Sequence, residues 1–290
     1  MSFQKGVPAC PVACKYCFIT EHDERRELWN QNSFAGINKA STFINVTPWI
    51  QKDSEEQRRF AAFDWSLLKG DTVGFTAITD PFYPIIERYL WQWLENATPH
   101  AKLTTCVTKW RITPRVMQKL AEYPNFRLVV SINGNGSIEK VSTKFHLETL
   151  ALAKQYGVKA LPICHPYIAG VSDLSFLNEL VDLGYEFFDV KGLRYCDNSM
   201  GDWMPEASKH YYLGSNDEVL PEDGWRTIVH NAGLQLLSPA KWYEKERKGL
   251  QPKCTMNEAV KLVEEMMSYA NVVSSNSTNA VKMAAILRRL

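Results

Sequence analysis

Short apolar runs and amphipathic segments alternate along the middle of this chain of 290 residues, and this alternation constrains the fold most strongly. The apolar runs, which are typical of buried strands, occupy residues 73–78, 102–108, 126–132, 158–164 and 185–190. The segments with helical spacing occupy residues 85–95, 114–123, 146–156 and 174–183. Thr113 before Pro114 marks one helix start, and Gly157 and Gly184 mark two helix ends. Parallel strands need such crossover connections, so the alternation predicts an α/β fold with helices covering a parallel sheet.

Three cysteines lie close together near the N-terminus, in the run Cys10-Pro-Val-Ala-Cys14-Lys-Tyr-Cys17. A cubane 4Fe–4S cluster has four irons, so ligation by three thiolates leaves one iron open to another ligand. A zinc site would normally need a second pair of cysteines, and no such pair follows. Seven cysteines in 290 residues are sparse and odd in number, which argues against a disulfide framework. The loop therefore predicts an iron–sulfur cluster with an open iron.

The alternation of strands and helices fits either a barrel or an open, doubly wound sheet. A first strand within residues 2–7 would place the cysteine loop at the carboxyl end of a strand, where barrels gather their active sites. We therefore expect a partial (β/α)6 barrel of the TIM type over residues 1–191. Residues 192–290, aromatic-rich and then helical in pattern, predict a C-terminal helical extension that closes the barrel mouth.

Composition adds little electrostatic character, since the chain is 45% hydrophobic and 22% charged, with a formal net charge of +1. This balance gives no general support for phosphate binding, although a local basic groove remains open. The longest apolar stretches are far shorter than the ~20 residues that span a bilayer. The polar start carries no signal-peptide pattern, so we expect a cytoplasmic protein with reduced thiols and no membrane insertion.

Short motifs follow the cysteine loop in a fixed order along the predicted strands. They are Thr79-Asp80-Pro81, Val107-Thr108-Lys109, Ser131-Ile132-Asn133 and His165-Pro166-Tyr167-Ile168. Together with the loop, they resemble the spore photoproduct lyase-like group of radical S-adenosylmethionine (SAM) enzymes over roughly residues 8–195. The resemblance implies a radical SAM barrel with a 4Fe–4S cluster, SAM on its open iron, and an electron donor such as flavodoxin or ferredoxin. Its cluster ligands would be Cys10, Cys14 and Cys17.

The resemblance also implies which residues contact SAM. Tyr16 would reach the adenine through its backbone while its ring packs against the cluster. Thr79 and Asp80 would hold the amino group of the methionine, and Lys109 would contact its carboxylate. The ends of the next two strands would supply contacts to the ribose, carboxylate and adenine from Ser131, Asn133, His165 and Ile168. A packed or capped histidine remains an alternative role for His165.

One departure from the lyase pattern concerns the hydrogen donor. Spore photoproduct lyases place a cysteine shortly before the Asp-Pro of the second strand, where it returns a hydrogen atom to the product radical. Residues 75–81 read Phe-Thr-Ala-Ile-Thr-Asp-Pro, without cysteine. We therefore expect lyase- or isomerase-type chemistry that isomerises or modifies a thymine-derived base in DNA or a nucleotide. Candidates for a relocated donor are Cys106 and Cys164, with Cys196 a further possibility.

Basic and aromatic residues of the second half suit phosphate contact and base stacking, although a solvated charged face explains the basic ones equally well. They are Lys140, Lys144, Arg226, Lys241, Lys245, Arg247, Lys248, Arg288 and Arg289, with Trp225, Trp242 and Tyr243. Three alternatives to the thymine-base hypothesis stay open. They are a radical SAM enzyme of small-molecule or peptide biosynthesis, a thymine-dimer repair lyase with a relocated donor, and a non-catalytic nucleic-acid-binding protein built on a metal knuckle.

Overall fold

The fold is described from a computed structural model, which describes residues 12, 14–17, 35–38, 43–46, 62, 65, 72–75, 80–193, 203–213 and 218–247. The chain divides into two compact units. The first comprises Met1–Cys10, Glu24–Cys106 and Tyr243–Leu290. The second comprises Pro11–Asp23 and Val107–Trp242. The domain boundary expected near residue 191 stays a prediction.

The first unit contains a short mixed sheet. Strand β1 (Ala35–Asn38) pairs antiparallel with β2 (Phe43–Val46), and β2 pairs in parallel with β3 (Thr72–Phe75). Strand β3 pairs in parallel with β4 (Leu103–Thr108), whose last two residues belong to the second unit. All four residues of β3 are buried, as expected for a strand in a parallel sheet. The sequence predicted β3 and β4, whereas β1 and β2 are additional strands.

Helix α1 (Pro84–Ala97) follows β3 in the first unit. Proline at its first position suits a helix start, because the missing N–H would have no partner inside the helix. Ile86, Leu90 and Trp93 recur at helical spacing and are buried. The Trp93 ring lies 5.1 Å from the ring of Phe75, so this face of α1 packs against β3.

The second unit continues with parallel strands. Strand β5 (Phe126–Ser131) pairs with β6 (Ala160–Cys164), which pairs with β7 (Phe187–Val190). A two-residue strand, β8 (Gln235–Leu236), adds to β7 and was not predicted from the sequence. Every residue of β5 is buried, so this strand lies at the centre of the unit.

Helices connect and follow these strands. They are α2 (Pro114–Leu120), α3 (Thr143–Tyr156), α4 (Leu177–Asp182), α5 (Glu206–Lys209), α6 (Trp225–Asn231) and α7 (Pro239–Glu246). The Thr113 side chain accepts a hydrogen bond from the Val116 N–H, which caps α2 as the sequence predicts. Gly157 ends α3 in the left-handed conformation, with φ of 72°.

The predicted α/β class is confirmed. Within each unit the parallel strands follow one another in chain order, β2 to β4 in the first and β5 to β7 in the second, as in the predicted partial (β/α)6 barrel. The expected first strand (2–7) and the final helical portion (251–290) lie outside the described residues. Within the described part of the chain, no helix combines the length and apolar character that a bilayer crossing requires.

Candidate active site

The cysteine loop lies against the segment that follows β5. The Lys15 N–H donates to the Ile138 carbonyl at 2.9 Å, and the Lys140 N–H donates to the Val12 carbonyl at 3.2 Å. The Cys17 N–H closes a turn onto the Cys14 carbonyl at 3.1 Å. Cys14 and Cys17, two of the predicted ligands, are both partly exposed, so their thiols are accessible from solvent. The third predicted ligand, Cys10, lies outside the described residues.

Tyr16 anchors the loop between these two cysteines. Its ring is buried in an apolar cluster with Ile138, Ile168, Val171, Leu193, Met204 and Tyr212. Its hydroxyl donates a hydrogen bond to Oε1 of Glu139. The structure thus gives the Tyr16 ring a place in the core and its hydroxyl a carboxylate partner, and the expected packing of the ring against an iron–sulfur cluster stays a prediction.

A lysine at the end of β4 meets the same carboxylate. Nζ of Lys109 lies 2.8 Å from Oε1 of Glu139 and 2.8 Å from Oγ of Ser131, the last residue of β5. The ammonium also lies 5.5 Å from the centroid of the Tyr16 ring, within the range of a cation–π contact. Tyr16, Lys109, Ser131 and Glu139 therefore form one connected group at the carboxyl ends of β4 and β5.

Burial dominates the electrostatics of Glu139, which is only 4% exposed. Removal from water disfavours the carboxylate and raises the pKa of Glu139 to about 8. A hydrogen bond with the Asn133 backbone opposes this rise, because it favours the charged form. Two side-chain donors, the Lys109 ammonium and the Tyr16 hydroxyl, bond to Oε1 of this buried carboxyl group.

His146, in the first turn of α3, holds the backbone of Lys109. Its Nε2 lies 2.8 Å from the Lys109 carbonyl oxygen. Burial, followed by the nearby Lys109 ammonium, lowers the pKa of His146 to about 4, so the ring is neutral at pH 7. A neutral ring can donate to a carbonyl only through a protonated Nε2, which fixes this tautomer. Lys109 is therefore held both at its backbone and at its ammonium.

The hydrogen-bonded group continues from β5 to the segment after β6. The Ser131 hydroxyl donates to the His165 carbonyl at 2.9 Å. The Asn133 amide donates to the Pro166 carbonyl and to Oγ of Ser172, both at 2.8 Å. Oδ1 of Asn133 is buried and has no hydrogen-bond partner among the described residues. An unsatisfied buried acceptor is costly, so this oxygen is suited to a donor from a bound group.

The two remaining predicted contacts, Ile168 and His165, lie in the same segment. The Ile168 N–H donates to Oγ of Ser172 at 2.8 Å, and its side chain belongs to the apolar cluster around Tyr16. Nε2 of His165 lies 2.9 Å from Oδ2 of Asp189 on β7. Burial lowers the pKa of His165, and the Asp189 carboxylate opposes the shift. His165 is thus paired with Asp189, and its expected contact with SAM stays a prediction.

The segment that follows β3 carries the predicted residues Thr79 and Asp80, and it belongs to the first unit. Asp80 is buried there, and its Oδ1 accepts a hydrogen bond from the Phe82 N–H at 3.0 Å, which supports the turn before α1. Thr79 lies outside the described residues. The expected contacts of Thr79 and Asp80 with a methionine amino group stay predictions.

The two candidate hydrogen donors are both buried thiols. Cys106 lies on the part of β4 in the first unit, where burial, followed by the Asp80 charge, raises its pKa. Cys164 ends β6 in the second unit, and its Sγ lies 3.5 Å from the Pro166 carbonyl oxygen. Burial raises the pKa of Cys164 to about 12. Both side chains therefore keep the S–H bond that a hydrogen donor needs.

The aromatic residues expected to stack on bases are instead core residues. Trp225, Trp242 and Tyr243 are 1%, 5% and 4% exposed, so that expectation is wrong. Arg226 is exposed, yet its Nε lies 2.9 Å and 3.0 Å from the two carboxylate oxygens of Glu222. This pairing favours the solvated charged face that the sequence analysis kept as an alternative.

Sequence reasoning identified much of this site but missed its carboxylate and its supports. Six predicted residues come together in the second unit: Tyr16, Lys109, Ser131, Asn133, His165 and Ile168. The missed residues are Glu139, His146, Ser172 and Asp189. The position of Glu139 in the loop after a strand end was the one available signal, because such loops carry functional side chains in α/β folds.

Comparison with known proteins gives a limited structural likeness. No protein-family model matches the chain, and no curated protein matches its sequence. Streptococcus suis SuiB bound to S-adenosylmethionine is 12% identical, with a TM-score of 0.47 over 78% of this chain and 47% of that chain. SuiB bound to precursor peptide SuiA is 14% identical, with a TM-score of 0.42 over 63% and 37%. Native anSMEcpe with bound AdoMet and Cp18Cys peptide is 12% identical, with a TM-score of 0.39 over 63% and 48%. The chain spans less than half the length of these structures.

Proposed function

We propose that this chain is a radical SAM enzyme, with Cys10, Cys14 and Cys17 as the ligands of a 4Fe–4S cluster and with SAM held beside Lys109 and Ser131. One observation carries the proposal. The loop with the cysteine motif is bound, through Tyr16 and two backbone hydrogen bonds, to residues 138–140 after β5, and Glu139 in that segment also bonds to the predicted cofactor residue Lys109. Unrelated packing would not require these separate motifs to meet at one place.

The side chains present suit the groups of SAM. The Lys109 ammonium is a donor for a carboxylate, and the buried Oδ1 of Asn133 is an acceptor for an ammonium or a hydroxyl. Ile168 offers an apolar surface beside them. When bound and reduced, the two cofactors supply a 5′-deoxyadenosyl radical for hydrogen abstraction. The protein residues orient the cofactor and keep water from it.

The cluster is tested by anaerobic reconstitution of the full chain. Analysis should find about four irons and four sulfides per chain, as the three-thiolate loop predicts. Replacement of Cys10, Cys14 or Cys17 by alanine should abolish the brown colour and the reductive cleavage of SAM. Cys106→Ala is the matched control, because it removes a buried thiol outside the loop and should keep the cluster. A colourless wild-type protein that binds zinc instead would refute the proposal.

The substrate in this proposal is a thymine-derived base in DNA or a nucleotide, which the enzyme isomerises or modifies. The support is the resemblance of the cysteine loop and the strand motifs to the spore photoproduct lyase-like group, together with the lack of cysteine before Asp80. The buried positions of Trp225 and Trp242 remove base stacking by these residues from that support. The reducing electron would come from a flavodoxin or ferredoxin.

The substrate test offers the reduced enzyme SAM with thymine-dimer DNA, DNA with amino-acid adducts of thymine, unmodified DNA, and a peptide mixture. Dithionite replaces the natural electron donor. Mass spectrometry measures 5′-deoxyadenosine and the nucleosides. Release of 5′-deoxyadenosine that depends on the adduct DNA and is accompanied by altered nucleosides supports the proposal. Reversal of the thymine dimer would indicate a repair lyase with a relocated hydrogen donor. Release stimulated by peptide alone would overturn the nucleic-acid substrate, and a protein with no SAM cleavage would be a non-catalytic binding protein.

A further inference from the structure

We infer that Glu139 is a positioning residue that fastens the cysteine loop and aims the Lys109 ammonium. Tyr16, Glu139 and Lys109 are called the loop clasp below. The inference deepens the proposed function and rests on it only for the role of Lys109 toward SAM. The fastening of the loop is a property of the protein chain alone.

The first part of the loop clasp joins two segments that are distant in sequence. The Tyr16 hydroxyl bonds to the Glu139 carboxylate. Backbone hydrogen bonds flank this contact, from Lys15 to Ile138 and from Lys140 to Val12. The side-chain bond thus lies between two backbone bonds of the same pair of segments, so its loss should weaken the attachment of the whole loop.

The second part of the loop clasp is the ion pair with Lys109. The same oxygen, Oε1 of Glu139, accepts from the Tyr16 hydroxyl and from Nζ of Lys109. The ammonium is also bound by Ser131 and lies over the Tyr16 ring. A substitution at Glu139 therefore alters the contacts of the cysteine loop and of the Lys109 ammonium at the same time.

Burial makes this coupling strong. A carboxylate removed from water is unfavourable unless its bonding partners are in place, and Glu139 is almost fully buried. Its described side-chain partners come from the cysteine loop and from the end of β4. The arrangement of each partner therefore depends on the other, and we expect non-additive effects when both are changed.

Limited proteolysis of the full chain, isolated without cofactors, tests the fastening of the loop. Trypsin can cut after Lys15, whose side chain is exposed while its N–H bonds to Ile138. Tyr16→Phe and Glu139→Leu, which each remove one side of the hydrogen bond, should each speed release of the fragment that ends at Lys15 about tenfold, because cleavage follows the open fraction of the loop. The double variant should release this fragment less than three times faster than either single variant does. Lys15→Gln identifies the cut by removing it.

Matched controls come from the same unit. Tyr185→Phe removes a buried hydroxyl that donates to the Leu150 carbonyl at 2.9 Å, and Glu148→Gln removes a carboxylate paired with Arg111 at 3.1 Å. Both should be cut at Lys15 like the wild type. Equal cutting of the wild type, Tyr16→Phe and Glu139→Leu would overturn the inference, as would an equal increase in the controls.

Titration of SAM into the reconstituted protein, followed by electron paramagnetic resonance of the reduced cluster, tests the aiming of Lys109. Glu139→Leu, which leaves Lys109 without this acceptor, should keep the wild-type iron content and weaken SAM binding about tenfold. Tighter binding would show that Glu139 competes with the SAM carboxylate and would overturn the aiming role. If the wild type holds no cluster while the proteolysis behaves as expected, the proposed function fails and the fastening role stands.

Discussion

His146 should make the protein lose stability in mild acid, and His146→Gln should remove much of that loss. The pKa of the buried ring is lowered from 6.5 to about 4. Below pH 6.5 the unfolded chain takes up a proton that the folded chain refuses, so stability falls as the pH falls toward 4. Each pKa unit corresponds to about 1.4 kcal/mol, which gives an acid-dependent loss of about 3 kcal/mol over this window. The glutamine amide can still donate to the Lys109 carbonyl that His146 now contacts.

The assay is urea unfolding of the wild type and His146→Gln at several pH values between 7 and 4.5. The raised pKa of Glu139 acts in the opposite direction, since protonation of a buried carboxyl group stabilises the folded chain as the pH falls below about 8. Glu139 is present in both proteins, so the difference between their curves isolates the histidine. Exposed His230 supplies the control His230→Gln, which should follow the wild type. Parallel curves for the wild type and His146→Gln would refute the reasoning.

Three further predictions follow from the site. Lys109→Met should keep the wild-type iron content and weaken SAM binding by about tenfold to a hundredfold, because loss of a charged hydrogen bond costs about 1.5–3 kcal/mol. Titration with SAM measures the affinity, and an unchanged affinity would contradict this prediction. Gly134→Ala should lower the free energy of unfolding by at least about 2 kcal/mol, because φ of Gly134 is +85° and a Cβ there would lie 1.7 Å from the Asp173 carbonyl oxygen. A chemical denaturation midpoint equal to that of the wild type would contradict this prediction. Cys164→Ala should lower product formed per 5′-deoxyadenosine if this thiol returns the hydrogen atom, whereas Cys106→Ala should not; mass spectrometry of both products distinguishes the two.

The regular elements of the barrel could be predicted because their causes are local. Apolar runs gave β4 and β5 closely, and Thr113 with Gly157 marked helix ends that the structure confirms. The short strands β1, β2 and β8 could not be predicted, since two to four residues carry little periodicity and depend on a pairing partner.

The proposed cofactor chemistry also came from the sequence, because three thiolates at the spacing of Cys10, Cys14 and Cys17 would leave one iron of a 4Fe–4S cluster open. Tertiary structure alone decided how the loop is held. From the sequence alone, Glu139 is expected to be an ordinary surface charge, and Trp225 is a candidate for stacking on a base. Folding buries both, and burial sets the pKa of the carboxyl group and removes the tryptophan from any ligand. Burial and charge pairing depend on residues far apart in the chain, such as Tyr16 and Glu139, so local sequence patterns carry no record of them.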